Sequence, residues 1–317
     1  MNEVNILKNL NKTSGSWLFS SLKNFTNLSF VPKYEPPKPN DLIQLENFIR
    51  NKGKICVLTG AGVSTESGIP DYRSEGVGLY ATSDRRPVLY QDFRKHDHIR
   101  KRYWARNYIA WPRFSEFQPN FSHKILKHLE DLNIVSCIIT QNVDRLHSKA
   151  GSSHVIELHG TGYTVMCLNC DSKISRKDFQ YILDKLNPTI NANSKEIRPD
   201  GDIELSDKQA QAFVLPSCEN CGGILKPDIV FFGDNVPRHT VEQVRHAVDE
   251  ADALLVLGTS LTTFSGYRII LQAVEEKKSI AIVNIGETRA DKYAAIKLNS
   301  GCGEVFKQLF PNLNFHS

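Results

Sequence analysis

Short, uninterrupted apolar runs alternate along most of this chain with stretches of helical periodicity, and that alternation restricts the fold more than any other feature. From Asp41 onward the runs are Ile55 to Thr59, Val135 to Thr140, Val155 to Leu158, Ile229 to Phe232, Ala253 to Leu257 and Ile280 to Asn284. Helical stretches fall between them. Asp41 is a candidate N-cap for a helix burying Leu42, Ile43, Leu45, Phe48 and Ile49, and others cover His123 to Asp131, His239 to Ala251 and Gly266 to Glu276. A strand that is apolar on both faces needs cover on both, so the pattern predicts an α/β fold with a Rossmann-like, doubly wound parallel sheet. Sheets of this kind bind ligands at the carboxyl ends of their strands.

The unusual residues sit at those ends. The run at Ile55 stops in Gly60-Ala61-Gly62-Val63-Ser64, followed by Gly68-Ile69-Pro70-Asp71-Tyr72-Arg73. Two glycines after a strand permit a tight turn and close approach of backbone N–H groups to a pyrophosphate. The spacing is not the G-x-G-x-x-G of a dehydrogenase, and alone it is a weak signal. Thr140-Gln141-Asn142-Val143-Asp144-Arg145-Leu146-His147 follows another strand and sets amides and a carboxylate at the sheet edge. Glu157-Leu158-His159-Gly160 ends a third run, where a histidine is placed for general-base work. Gly258-Thr259-Ser260-Leu261 and Asn284-Ile285-Gly286-Glu287-Thr288 repeat the design. Each alone reads equally as an ordinary strand-to-helix turn; five at one sheet edge point to a shared ligand.

The alternation breaks between residues 162 and 226, which reads as a small module inserted between large parts at 41–161 and 227–317. The run Lys226 to Asp234 then reads as a strand re-entering the large part. The module holds Cys167-x-x-Cys170 and Cys218-x-x-Cys221. Four thiolates in two tight turns satisfy a tetrahedral Zn²⁺ with no open position, the arrangement of a structural site; a redox dithiol is the alternative. Cys56 and Cys137 fall inside apolar runs and read as core. Between the pairs, Asn187 to Asp207 is polar and rich in turn formers, either a surface loop or a loop that folds over the cleft.

Residues 1–33 carry Lys8, Lys12, Lys23 and Lys33 against the single acid Glu3, with Ile6, Leu7, Leu10, Trp17, Leu18, Phe19 and Leu22 able to line one helix face. Basic and amphipathic, the stretch reads as an organellar transit peptide or as a disordered tail. Tyr34 to Pro39 forms a linker to a folded part at 34–317. The net charge of +4 is too small to favour nucleic acid as a partner. No apolar run reaches the roughly 18 residues of a bilayer span, so no membrane partner is expected.

Taken in order, these motifs resemble the sirtuin family over residues 41–310: Gly60-Ala61-Gly62-x-Ser64, Gly68-Ile69-Pro70-Asp71-x-Arg73, Thr140-Gln141-Asn142-x-Asp144, His159-Gly160, the two cysteine pairs, Phe232-Gly233-Asp234 and Gly258-Thr259-Ser260. Pro227 to Asp234, Ser265-Gly266-Tyr267-Arg268, Asn284-Ile285-Gly286 and Leu298 to Gly303 are similar to its mitochondrial sirtuin-4 branch. The resemblance implies an NAD⁺-consuming protein-lysine deacylase, monomeric, in the mitochondrial matrix. Its substrates are acyl-lysine proteins, metabolic enzymes among them. Nicotinamide leaves as the acyl oxygen attacks the anomeric carbon, and His159 activates a ribose hydroxyl that attacks the resulting imidate. Asn142 and Asp144, with Asp71, hold the carboxamide and ribose, and Gln141 positions the ribose. Gly60, Ala61, Thr259 and Ser260 contact phosphates and ribose, while Asn284 and Cys302 border the adenosine. Gly62, Ser64, Tyr72, Arg73, Val143, Gly258, Ile285 and Gly286 complete the cofactor set. Tyr72 replaces the family's commoner Phe.

Residues 94–114 are basic and aromatic and read either as a solvated helix or as part of an acyl pocket. Tyr103-x-x-Arg106 is similar to the Tyr-x-x-Arg of sirtuins that remove acidic acyl groups, which with Val230 and Phe231 implies a preference for acidic or bulky acyl chains over acetyl. Three competing classes remain at this stage: an NAD-dependent dehydrogenase, a protein mono-ADP-ribosyltransferase using the same site, and a zinc-ribbon nucleic-acid binder.

Overall fold

Among the described residues the first helix, Pro39–Asn51, begins at Pro39, where the missing N–H leaves no bond unmade. Lys38 is the N-cap and Asp41 lies in the first turn, so the expected Asp41 cap is corrected: its carboxylate meets the helix dipole rather than the terminal N–H groups. Leu45, Phe48 and Ile49 are buried as expected, whereas Ile43 faces solvent at 56% exposure. The computed structural model describes residues 30–82, 87–190 and 207–315. The presequence reading of residues 1–33 and the loop reading of 187–207 therefore lie almost wholly outside the described residues.

Six parallel strands form the main sheet: β1 (Ile55–Thr59), β2 (Val135–Thr140), β3 (Val155–Glu157), β7 (Ala253–Leu257), β8 (Ser279–Val283) and β9 (Ile296–Leu298), in the order β3-β2-β1-β7-β8-β9. All five residues of β1 and of β7 are buried. Their side chains divide by the period of two. Ile55 and Val57 pack with the helices Pro39–Asn51, Phe121–Asp131 and Cys302–Leu309, while Cys56 and Leu58 pack with Arg238–Asp249 and Phe264–Glu275 on the other face. Full burial of one such aliphatic side chain contributes about 1.5–3 kcal/mol. From β1 the chain builds outward to β2 and β3 and later returns to build β7 to β9 on the opposite side. The strand order thus reverses between β1 and β7, opening a crevice at their carboxyl ends.

A second, three-stranded antiparallel sheet has the order β5-β4-β6, from β4 (Gly160–Cys167), β5 (Lys173–Ser175) and β6 (Leu225–Ile229). This corrects the expected strand at 229–232 in the large sheet. The segment after residue 224 pairs with β4 instead, Cys167 opposite Leu225 and Gly160 opposite Ile229. Gly160, at φ +75°, has Asp228 O where a Cβ would stand, so the close pairing needs glycine there. Phe232 keeps only an isolated parallel bridge to Leu89.

The twenty-residue helix Asp97–Glu116 packs against the small sheet and the helix Arg176–Leu186. It is not a solvated helix: Tyr103, Trp104, Arg106, Tyr108, Trp111 and Phe114 are all buried, and only part of its basic face reaches water. Its seam with the small sheet is closed by Arg176, which is 1% exposed. That guanidinium donates two bonds to Asn107 Oδ1 at 2.9 and 2.8 Å and lies over Trp104 and Trp111. Trp104 Nε1 donates to Leu225 O at 3.0 Å. Among the described residues no helix is long and apolar enough to cross a membrane.

Candidate functional site

The crevice at the strand ends is a cleft of about 1440 Å³. Drug-sized ligand sites occupy ~300–1,000 Å³, so there is room for a dinucleotide together with a second substrate. Every residue expected to touch cofactor or acyl group lines it except Arg106.

At the floor the turns after β1 and β7 interlock through backbone alone. Gly60 N–H donates to Leu257 O at 3.1 Å and Gly62 N–H to Gly258 O at 2.9 Å. A Cβ on Gly62 would stand 2.8 Å from Gly258 O, and one on Gly258, at φ +57°, 2.5 Å from Val63 N. Side chains at either position would push the two turns apart, and with them the carbonyls and amides that face the cleft.

Above this floor lies a closed polar network. Ser64 Oγ donates to Asp144 Oδ2 at 2.7 Å and accepts from Asn142 Nδ2 at 3.1 Å; Asn142 Nδ2 also donates to Gly60 O. Leu146 N–H donates to the other Asp144 oxygen at 2.9 Å. Burial raises the Asp144 carboxyl above its usual range, against the pull of the Leu146 N–H and the Ser64 hydroxyl. Asp71 is turned toward its own loop, accepting from Arg73 N–H at 3.0 Å, Ser74 N–H at 2.7 Å and the Ser74 hydroxyl. Tyr72 packs edge-on to Phe232 at 6.2 Å.

His159 stands at the end of β3, half-buried. Its Nδ1 lies 3.0 Å from Gln141 O and its Nε2 2.8 Å from Ser265 Oγ. A carbonyl only accepts, so Nδ1 carries the proton and Nε2 keeps its lone pair. Burial lowers the pKa below the ordinary 6.5, outweighing the Gln141 bond, so the ring is neutral and basic near pH 7. Gln141 is itself clamped: its Nε2 donates to Thr259 Oγ1 at 3.0 Å and its Oε1 accepts from Thr263 Oγ1 at 3.1 Å.

Toward the β8 end, Asn284 Nδ2 donates to Ile285 O and Gly286 O at 2.8 and 3.2 Å, tightening the turn that carries them. Cys302 is buried at the start of the helix Cys302–Leu309, and burial pushes its thiol up to about 12, which keeps it protonated. On the opposite wall the surface is aromatic. Phe231 packs against Phe93 and Tyr103, each at 5.1 Å, and Val230 N–H donates to His159 O at 2.8 Å. Arg106, one helical turn beyond Tyr103, is buried outside the cleft lining; the i,i+3 spacing puts the two side by side without aiming both at the same space.

The four cysteines of the paired turns converge: all four Sγ atoms lie within 4.8 Å of one another, and the pairs Cys167–Cys221 and Cys170–Cys218 are 3.5 and 3.7 Å apart. Zinc–thiolate bonds of about 2.3 Å in a tetrahedron separate sulfurs by about 3.8 Å. The four thiols fit such an ion. The pairing of β4 with β6 explains how 47 intervening residues still deliver both turns to one point.

Motif reading assigned no role to several lining residues: Val31 to Lys33, Glu66, Thr263, Ser265 and Arg268. Glu66 accepts Gly303 N–H at 2.9 Å and so ties the first loop to the last helix. Thr263 and Ser265 lie a few residues past the Gly258-Thr259-Ser260 turn, which places them near the cleft but does not reveal their partners.

The sequence profile of the Sir2 family matches residues 60–265. A Drosophila melanogaster protein named NAD-dependent protein deacylase Sirt4 is 52% identical over 288 residues, covering 91% of this chain and 92% of the fly protein. The human NAD-dependent protein lipoamidase sirtuin-4, mitochondrial, is 51% identical over 282 residues, covering 89% and 90%. Among solved structures, a Sir2–p53 peptide–NAD⁺ complex superposes with a TM-score of 0.67 at 28% identity, over 84% of this chain and 96% of that one. The interlocked turns, the ordered polar network and these likenesses agree: this chain belongs to the Sir2 family.

Proposed function

We propose that this chain is an NAD⁺-dependent protein-lysine deacylase, working on acyl-lysine side chains of mitochondrial matrix proteins such as metabolic enzymes. The observation that carries the reading is the neutral His159 ring, its basic nitrogen on the cleft, beside the Asn142–Ser64–Asp144 network at the β1/β7 crevice. The chemistry requires NAD⁺ to give up nicotinamide and accept the acyl group on its ribose. The backbone at Gly60, Ala61, Gly62 and Gly258, with Thr259 and Ser260, borders the phosphates. Asn142 and Asp144 hold the nicotinamide ribose and carboxamide by a network that needs no rearrangement as charge develops. His159 takes a ribose hydroxyl proton at Nε2, while Gln141 O holds the ring from behind. Asn284, Ile285, Gly286 and Cys302 border the adenosine. The four cysteines hold one structural Zn²⁺, which leaves them no open position for chemistry.

The acyl group meets Tyr103, Val230 and Phe231. Because Arg106 stands outside the lining, the aromatic wall rather than a guanidinium supports the preference, which favours bulk over negative charge. The lipoamidase name of the human relative is consistent with that reading. A panel of acyl-lysine peptides with NAD⁺, scored by mass spectrometry for deacylated peptide and O-acyl-ADP-ribose, tests it. Faster turnover of long or branched acyl groups than of acetyl, with little change in Arg106→Ala, is expected. Best turnover of acetyl overturns the acyl preference, and ADP-ribose appearing on protein in place of O-acyl-ADP-ribose would favour a mono-ADP-ribosyltransferase.

A further inference from the structure

We propose that Ser265 is the positioning residue of the His159 base: its hydroxyl holds the ring at Nε2 while the ribose site is empty and accepts a hydrogen bond from the Nε2 proton once the ribose hydroxyl has given it up. This rests on the deacylase reading and adds to it a residue from a different loop.

The geometry leaves His159 one unassigned direction. With Nδ1–H spent on Gln141 O at 3.0 Å, the ring retains a single in-plane lone pair at Nε2, and Ser265 Oγ lies 2.8 Å from it. The hydroxyl therefore donates to the neutral ring. Once Nε2 has taken a proton, the same oxygen has lone pairs with which to accept it. A hydroxyl is thus matched to the ring before and after proton transfer by rotation of its O–H bond alone, whereas a methyl is matched to neither.

The loop that carries Ser265 is built to hold this register. Thr259 and Thr263 grip the two ends of the Gln141 carboxamide, and Gly266 lies so close that a Cβ there would stand 2.7 Å from Gln141 Oε1. Gln141 thus fixes His159 through its carbonyl and fixes the Ser265 loop through its side chain. Ser265 is the second residue of the helix Phe264–Glu275, whose buried face anchors the hydroxyl to the core. Both contacts of the imidazole are set by one rigid unit, although Ser265 is 106 residues away in the chain.

Ser265 acts through His159, so its loss shows only in the step that needs the base. Nicotinamide exchange, in which labelled nicotinamide is incorporated into NAD⁺ in the presence of acyl peptide, precedes that step; formation of O-acyl-ADP-ribose follows it. In the full-length protein, Ser265→Ala should leave exchange within about twofold and slow O-acyl-ADP-ribose formation roughly fivefold to tenfold, the scale of one lost hydrogen bond. Ser265→Thr, which keeps the hydroxyl, should restore most of the rate. Equal loss of both activities, or failure of Ser265→Thr to recover any rate while Ser265→Ala still exchanges nicotinamide, overturns the positioning role. An unchanged ratio in Ser265→Ala does the same. If the unmodified protein shows neither exchange nor acyl transfer, the deacylase reading itself fails, and that outcome is distinct from the others.

Discussion

The two walls of the cleft are made of different materials. The nucleotide wall is backbone and small polar side chains: interlocked glycine turns, the Asn142–Ser64–Asp144 network and the Gln141 clamp, each fixed by hydrogen bonds shorter than 3.2 Å. The acyl wall is aromatic packing, with Phe231, just past β6, against Phe93 and Tyr103 of the helices Tyr90–Lys95 and Asp97–Glu116. Directional bonds specify one ligand geometry, while stacked rings tolerate several shapes of similar volume. The proposed reaction, with one dinucleotide and acyl groups of differing shape, would use that division.

The sharpest way to break the comparison is at Asp144. Asp144→Asn replaces a carboxylate whose two oxygens each accept one hydrogen bond, from the Ser64 hydroxyl and the Leu146 N–H, with an amide that must turn an N–H toward one of them. Turnover should fall about a hundredfold or more, and for every acyl group alike, in steady-state assays. A loss that depended on the acyl chain would mean that the walls are not independent. Cys218→Ala probes the scaffold behind the acyl wall. It should abolish binding of the proposed Zn²⁺ and lower the melting temperature, measured by calorimetry with metal analysis, by several degrees, with losses of a few kcal/mol. Phe231→Leu acts on the acyl wall alone: the ratio of bulky-acyl to acetyl turnover should shift by roughly 3–10-fold with the NAD⁺ KM unchanged.

The smallest effect is a pH signature of the nucleotide side. His147, buried beneath the ends of β1 and β2 with Nε2 3.0 Å from Thr59 Oγ1, has its pKa lowered to about 4 by burial, and its neighbour His123 is lowered too. Unfolded imidazoles bind protons near 6.5, whereas the folded His147 refuses one until about 4. The unfolded state therefore binds more protons in that window, and stability falls as pH drops through it, by at most about 1.4 kcal/mol per unit for each histidine. His147→Gln should flatten the slope in denaturant titrations; Phe231→Leu should leave it alone.

The same division decided what could be read from the chain. The nucleotide wall is written in local motifs: the runs at Ile55 to Thr59, Val135 to Thr140 and Ala253 to Leu257 are strands with those bounds, and the turns that follow them meet as expected. A strand apolar on both faces followed by glycine leaves few alternatives. The small sheet was misread because β4, β5 and β6 mix polar and apolar residues, and because only Gly160 allows Asp228 and Ile229 to pair beside it rather than in the large sheet. On the helix Asp97–Glu116, aromatics and arginines surround the axis, so spacing alone could not tell which of Tyr103 and Arg106 reaches the cleft. Ser265 meets His159 only through the fold of two distant turns, a contact that no local pattern encodes.

In the proposed mechanism one neutral imidazole, held at the crevice edge, couples nicotinamide loss to acyl transfer. That coupling is tested most directly by following His159→Tyr and the unmodified protein with NAD⁺ and an acyl-lysine peptide, measuring free nicotinamide, deacylated peptide and O-acyl-ADP-ribose in one reaction. The unmodified protein should form the three in equal amounts, and the variant should form O-acyl-ADP-ribose at least ~100-fold more slowly while remaining folded. Deacylation that proceeds without nicotinamide release, or that survives His159→Tyr undiminished, contradicts the account.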